Sequence, residues 1–187
     1  APQVYHVAGN MSIAKAMKVH GSVAEQAVTA ELSQMLQKGV FEVVSPISVR
    51  GKPVIHSHMF LKEKRDQQGD LIKVKARLVA GGDMMDRRVY TVEKRTSPTI
   101  HPESLFMVLA LAACKTMKVA SIDIEGAFLE SPLTDEVYMR LGKDMSGLLV
   151  KLRPDYVGMM NAAGCVIVRL LKALYGLVQA SQLWYKA

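Results

Sequence analysis

Two groups of residues in this chain have types and spacings suited to chemistry. The first centres on a carboxylate. Asp123 stands near the end of the apolar run Val119-Ala120-Ser121-Ile122-Asp123-Ile124, which continues into Glu125-Gly126-Ala127-Phe128-Leu129. A carboxylate at a strand end beside a glycine turn is placed to hold a divalent cation, and two-metal phosphoryl transfer sets such ions roughly 3.5–4 Å apart. One aspartate cannot fix two ions, and Glu125, two residues on, reads more simply as a solvated turn residue. The second group is cationic. Lys73, Lys75 and Arg77 recur at i, i+2 and i+4, the spacing of one face of a β-strand. Such a face can follow a phosphate backbone or grip a triphosphate, although an ordinary solvated hairpin has the same composition. His56 and His58 also share a strand face, but no third metal ligand lies near them, so exposed strand residues are the simpler reading.

Composition sets bounds on what surrounds these residues. The chain has 187 residues and a formal charge of +7, and residues 50–95 carry twelve Lys or Arg against six acids, nearly the whole excess. Half of the residues are hydrophobic, enough to bury a core and too many for a disordered segment. The longest apolar run, residues 105–114, is far short of the roughly 20 residues that span a bilayer, and no secretory leader pattern opens the sequence. Two cysteines, Cys114 and Cys165, lack zinc-ligand spacing and read as reduced intracellular thiols. Both ends of the sequence read as cuts within something longer.

The elements that must position these residues alternate irregularly, which favours an α+β class over a doubly wound sheet. Residues 1–21 show no sustained period and read as a tail or linker. Ser22 and Glu25 have capping-box spacing, and Val28, Leu32, Met35 and Leu36 give a buried helical stripe, so a helix is expected over residues 23–38, stopped by Gly39. Residues 40–44 read as a strand. Residues 59–64 and 71–80 flank the polar segment 65–70 as the arms of a β-hairpin. A second helix opens at Pro102 with Leu105, Val108, Leu109 and Ala112 as its buried stripe. Strands are expected over 119–124, 136–140 and 148–153, a further apolar segment over 166–170, and a helix from Gln179 onward.

These segments also form a recognisable set. The runs Lys64-Arg65-Asp66…Gly69…Lys75-Ala76-Arg77-Leu78-Val79-Ala80, Ser97-Pro98, Leu109-Ala110-Leu111-Ala112-Ala113, Ile122-Asp123-Ile124-Glu125-Gly126-Ala127-Phe128-Leu129, Leu133…Glu136-Val137-Tyr138-Met139 and Leu171-Lys172-Ala173-Leu174-Tyr175-Gly176-Leu177-Val178-Gln179-Ala180 resemble the reverse transcriptases of Ty1/copia-type LTR retrotransposons. Order and spacing agree from about residue 24 to the end. The sequence departs from the family pattern at His58, Gly81, Val178 and Ser181-Gln182, where the family usually has Trp, Lys, Lys and Pro-Arg.

The resemblance implies a right-hand polymerase fold, with a fingers subdomain over 22–100 and part of the palm, with a fingers insertion, over 101–187. It implies RNA-directed DNA synthesis by two-metal phosphoryl transfer, using Mg²⁺ or Mn²⁺. Asp123 would be the first catalytic carboxylate and a metal ligand, joined by the Ile124 carbonyl. Lys75 and Arg77 would clamp the incoming deoxynucleoside triphosphate, the Gly126 and Ala127 amides would meet phosphate oxygens, Phe128 would exclude a ribose 2′-hydroxyl, and Gln179 would line the nucleotide pocket. The Tyr-x-Asp-Asp hairpin that supplies the other carboxylates would lie beyond Gln179, so the chain is expected to be a polymerase fragment, inactive alone. Its implied partners are an RNA template, a DNA primer, deoxynucleoside triphosphates and the rest of a polyprotein, with no membrane, in a cytoplasmic virus-like particle or the nucleus. The competing expectation is a non-catalytic, nucleic-acid-binding retroelement remnant that uses the basic hairpin alone.

Overall fold

A single long strand, β3 (Val54–Arg65), organises the molecule because its two halves pair differently. The computed structural model describes residues 5–6, 9–86, 88 and 90–187; Arg87 of the basic stretch and six residues of the expected tail lie outside them. From Ser57 onward β3 pairs antiparallel with β4 (Leu71–Ala80), matching Lys62 to Lys75 and Phe60 to Arg77, with a register shift between Lys64 and Arg65. Residues 54–56 instead run parallel to β5 (Tyr138–Arg140). β5 continues antiparallel to β6 (Ile167–Leu170), and β6 to β2 (Phe41–Val44). A two-residue strand, β1 (Tyr5–His6), pairs with the far end of β3. The result is a mixed α and β architecture with one parallel pair in an otherwise antiparallel sheet.

Side chains alternate as a half-buried hairpin requires. Ile55, Met59 and Leu61 of β3, and Val74, Ala76, Leu78 and Ala80 of β4, enter the core, while Lys73, Lys75 and Arg77 face outward. Helix α2 (Ser22–Gln37) covers the inner face with Ala24, Val28, Leu32 and Met35, and Gly39 ends that segment with φ +59°. The expected capping box does not form: Gly21 is the N-cap, and Glu25 instead accepts from Lys151 Nζ at 2.7 Å.

The remaining differences have definite causes. Part of the expected tail is a helix, α1 (Ile13–His20), capped by Ser12 Oγ accepting from Lys15 N–H and anchored by buried Ile13 and Ala16. Residues 148–153 are not a strand but the end of helix α5 (Lys143–Leu152). There Met145, Leu148, Leu149 and Leu152 repeat at helical spacing, and that face outweighs the local β-propensity. The expected strand over 136–140 shrinks to β5. A short helix, α3 (Val92–Arg95), precedes α4 (Pro102–Cys114), which begins as predicted, yet only Ala112 of its expected stripe is buried. Residues 119–124 form no strand: no described strand pairs with them, and Ile122 is 87% exposed. Helix α6 (Ala180–Lys186) starts after Gln179, its N-cap. Both cysteines are free, Cys165 buried and Cys114 exposed, and among the described residues no helix is long and apolar enough to cross a membrane.

Candidate nucleotide and nucleic-acid interface

The outward face of β3 and β4 concentrates the cations. Cross-strand partners there are Lys62 with Lys75 and Lys64 with Lys73, two pairs of like charge set directly opposite one another, an arrangement that costs stability. Lys62, Lys64, Lys75 and Arg77 line an open cavity of about 650 Å³ together with Phe60, Val79, Tyr175 and Asn10. Further down β3 the rings continue. His58 stacks on Phe60 at 6.0 Å between centroids and meets His56 edge-on at 5.7 Å. Strand spacing in the sequence picks out Lys73, Lys75 and Arg77, whereas Lys62 and Lys64 enter only through the charge of residues 50–95 and the family-like run, and Phe60 not at all; their even positions opposite the cationic row were the available signal.

Around the free edge of β4 a second set of groups gathers. Glu31, from α2, accepts the Leu78 N–H at 2.9 Å. Burial holds its pKa above the usual glutamate value, outweighing that hydrogen bond and the pull of Lys75 and Arg77. Glu31, Lys75, Arg77, Glu125, Gly126, Leu129 and Tyr175 enclose a small pocket beside the main cavity. Gly126 takes φ +67°, a left-handed conformation that glycine adopts without strain. It opens the 3-10 turn Ala127–Glu130, which carries Phe128. Lys38 pairs with Glu130 beside this turn.

The segment after β6 completes the arrangement. The Ser131 carbonyl accepts from Ala173 N–H, and the Leu171 carbonyl from Leu133 N–H, so the Phe128 turn and residues 171–173 are held together. Tyr175 then reaches back: its ring lies 4.9 Å from that of Phe128, and the Arg77 guanidinium sits 4.5 Å over its face.

The structure brings Lys75, Arg77, Gly126 and Phe128 together around Tyr175. Three other expected residues lie outside this grouping. Asp123 and Ile124 lie in the exposed segment before Gly126, and among the described residues no cluster of three or more His, Cys, Asp or Glu could hold a metal ion. The His56–His58 pair thus gains no third ligand there. Gln179 is buried but does not line the basic cavity. Its Nε2 donates to Asp135 Oδ2 at 3.1 Å and to Tyr90 Oη at 3.4 Å, and its Oε1 has no partner among the described residues.

Comparison with known proteins gives this geometry a lineage. Residues 38–187 match the family described as reverse transcriptase (RNA-dependent DNA polymerase). Over 160 residues the chain is 32% identical to the retrovirus-related Pol polyprotein from transposon RE2 of Arabidopsis thaliana, covering 86% of this chain and 10% of that protein. It is 28% identical to the corresponding polyprotein from transposon TNT 1-94 of Nicotiana tabacum, covering 86% of this chain and 11% of that protein. It is 27% identical to the truncated transposon Ty1-A Gag-Pol polyprotein of Saccharomyces cerevisiae, covering 86% and 12%. The chain thus spans about a tenth of the length of the curated relatives it matches. No solved structure matches. The family resemblance drawn from the motifs therefore holds: the chain belongs to the reverse transcriptase family, in the branch represented by copia/Ty1-type retrotransposon Pol polyproteins.

Proposed function

We propose that this chain is the fingers and part of the palm of an RNA-directed DNA polymerase, with the fingers over 22–100 and the palm portion over 101–187, and that its basic cavity receives the triphosphate of an incoming deoxynucleotide. The observation that carries the reading is the two opposed pairs of like charge, Lys62 with Lys75 and Lys64 with Lys73, beside Arg77. The fold gains nothing from that repulsion, whereas a polyanion relieves it. Lys75 and Arg77 grip the phosphates, the Gly126 and Ala127 amides meet phosphate oxygens, and Phe128 presents its ring toward the sugar, rejecting a 2′-hydroxyl by shape. Gln179 lines the pocket on the template side, a role that requires its amide to leave Asp135 and Tyr90.

Asp123, with the Ile124 carbonyl, is the first ligand of the Mg²⁺ or Mn²⁺ ions in this reading. In this reading Asp123 by itself cannot fix two ions, so catalysis draws on further carboxylates and the chain alone is inactive. The RNA template, the DNA primer and the remaining polyprotein complete the assembly, in a cytoplasmic virus-like particle or the nucleus. A second reading, nucleic-acid binding without chemistry, draws on the His56–His58–Phe60 ring row lying on the same face as Lys62 and Lys64, a stacking and phosphate track suited to a single strand.

Equilibrium titrations with dATP and with a single-stranded oligonucleotide separate the two. The first reading expects Lys75→Ala and Arg77→Ala to weaken dATP binding. The second expects tight, salt-sensitive oligonucleotide binding, falling linearly in a log–log plot, with no nucleotide affinity. Unchanged dATP affinity in both variants sinks the triphosphate assignment.

A further inference from the structure

Tyr175 touches both ends of the proposed nucleotide site. Its ring face carries the Arg77 guanidinium at 4.5 Å, and its ring meets Phe128 at 4.9 Å with the planes inclined by 60°. It also lines both the basic cavity and the small pocket beneath Gly126. Resting on the proposed function above, we propose that Tyr175 is a positioning residue that couples triphosphate recognition to sugar recognition.

Three features carry this. First, the tyrosine backbone is docked on the strand that bears Arg77. The Tyr175 carbonyl accepts the Ala80 N–H at 2.7 Å. Gly176 follows at φ +91°, so close that a Cβ there would run into the Ala80 carbonyl oxygen, and one on Gly82 would run into the Gly176 carbonyl oxygen. The backbone from which the ring projects is thus fixed relative to β4, and the ring itself is held between Arg77 and Phe128. Second, Arg77 has no ion-pair partner among the described residues. The contact with the Tyr175 ring holds the guanidinium in place while leaving N–H donors available for phosphate oxygens. Third, Phe128 stands on a short 3-10 turn, and excluding a hydroxyl by shape requires a ring that cannot swing aside. The edge-to-face contact with Tyr175 supplies that stop.

The test is the binding of dATP and ATP to the full chain, with thermal melting recorded for each variant. Arg77→Ala is expected to weaken both nucleotides alike. Phe128→Ala is expected to tighten ATP relative to dATP, narrowing the preference between them. Tyr175→Leu is expected to do both: dATP weakens roughly two- to thirtyfold, the span of a cation–π contact from exposed to desolvated settings, and the preference for dATP over ATP narrows. Tyr175→Phe, which keeps the ring, is expected to match the wild type in both. Should Tyr175→Leu melt below the assay temperature, Tyr175→Met is measured in its place. The inference is overturned if the folded leucine or methionine variant leaves the dATP/ATP ratio intact, or if Tyr175→Phe loses as much as Tyr175→Leu. If Arg77→Ala and Phe128→Ala change neither constant, it is the underlying nucleotide reading that fails.

Discussion

Lys62 faces Lys75 and Lys64 faces Lys73 across the β3–β4 ladder, and each pair costs the free protein stability that a bound polyanion would return. Lys62→Gln is therefore expected to stabilise the chain by about 0.2–1 kcal/mol while weakening triphosphate binding. Urea denaturation checks the first part, and the gain should shrink as added salt screens the repulsion; a loss of stability would refute the argument. Glu31 makes the complementary case. Burial raises its pKa from the ordinary 4.5, assisted by Glu125 and opposed by the Leu78 N–H, Lys75 and Arg77. In the native state it holds its proton more tightly than in the unfolded chain, so its stabilising contribution is complete below pH 4.5 and is lost as pH rises through the raised value. Glu31→Gln keeps an acceptor for Leu78 and removes the buried charge, so it is expected to flatten that part of the pH profile. Glu31→Leu leaves the Leu78 N–H without its acceptor, at roughly 1–3 kcal/mol. Stability measured from pH 4 to 8 distinguishes the two, and parallel profiles for wild type and Glu31→Gln would count against this assignment. The sequence made Lys75 and Arg77 legible because strand alternation is local. Glu31 and Tyr175 were not, since each joins the site only through folding that brings α2 and the segment after β6 to β4.

At the scale of elements, the junction between β4 and residues 174–179 decides whether the site exists. Gly176 and Gly69 share φ +91°, but a Cβ on Gly69 meets open space whereas one on Gly176 meets the Ala80 backbone. Gly69→Ala is expected to cost roughly 1–3 kcal/mol of backbone strain. Gly176→Ala should cost clearly more, because relieving the clash undocks Tyr175 from β4. Equal losses in denaturation midpoints would show that the docking contributes nothing beyond strain. Element identity was legible wherever the burial pattern was local, as in α2 and the hairpin arms. It failed over 148–153, where the decisive apolar partners begin at Met145, upstream of the strand-like residues. It failed again over 119–124, where β-branched and apolar residues gave a strand signal but no described strand lies alongside to supply the hydrogen bonds.

Over the whole molecule the core and the surface tell different stories. Leu32, Leu61, Leu78, Met139, Leu149 and Leu170 are fully enclosed, while α4 and the residues after it expose Phe106 at 67%, Met107 at 72% and Ile122 at 87%. A helix that is apolar all round belongs inside something, and α4 has thirteen residues, too few to span a bilayer. Its exposed surface in water therefore drives association with whatever apolar face is available, including another copy of this chain. The isolated protein is expected to self-associate in light scattering, and increasingly so as salt screens its +7 charge. Phe106→Lys combined with Met107→Glu leaves the net charge unchanged and should shift the population toward monomer without lowering the melting temperature, because neither side chain is buried in the core. A monodisperse wild-type monomer at high protein concentration and physiological salt would mean that α4 finds cover within its own chain. A variant that loses melting temperature in step with its association would place Phe106 and Met107 in the folded core instead.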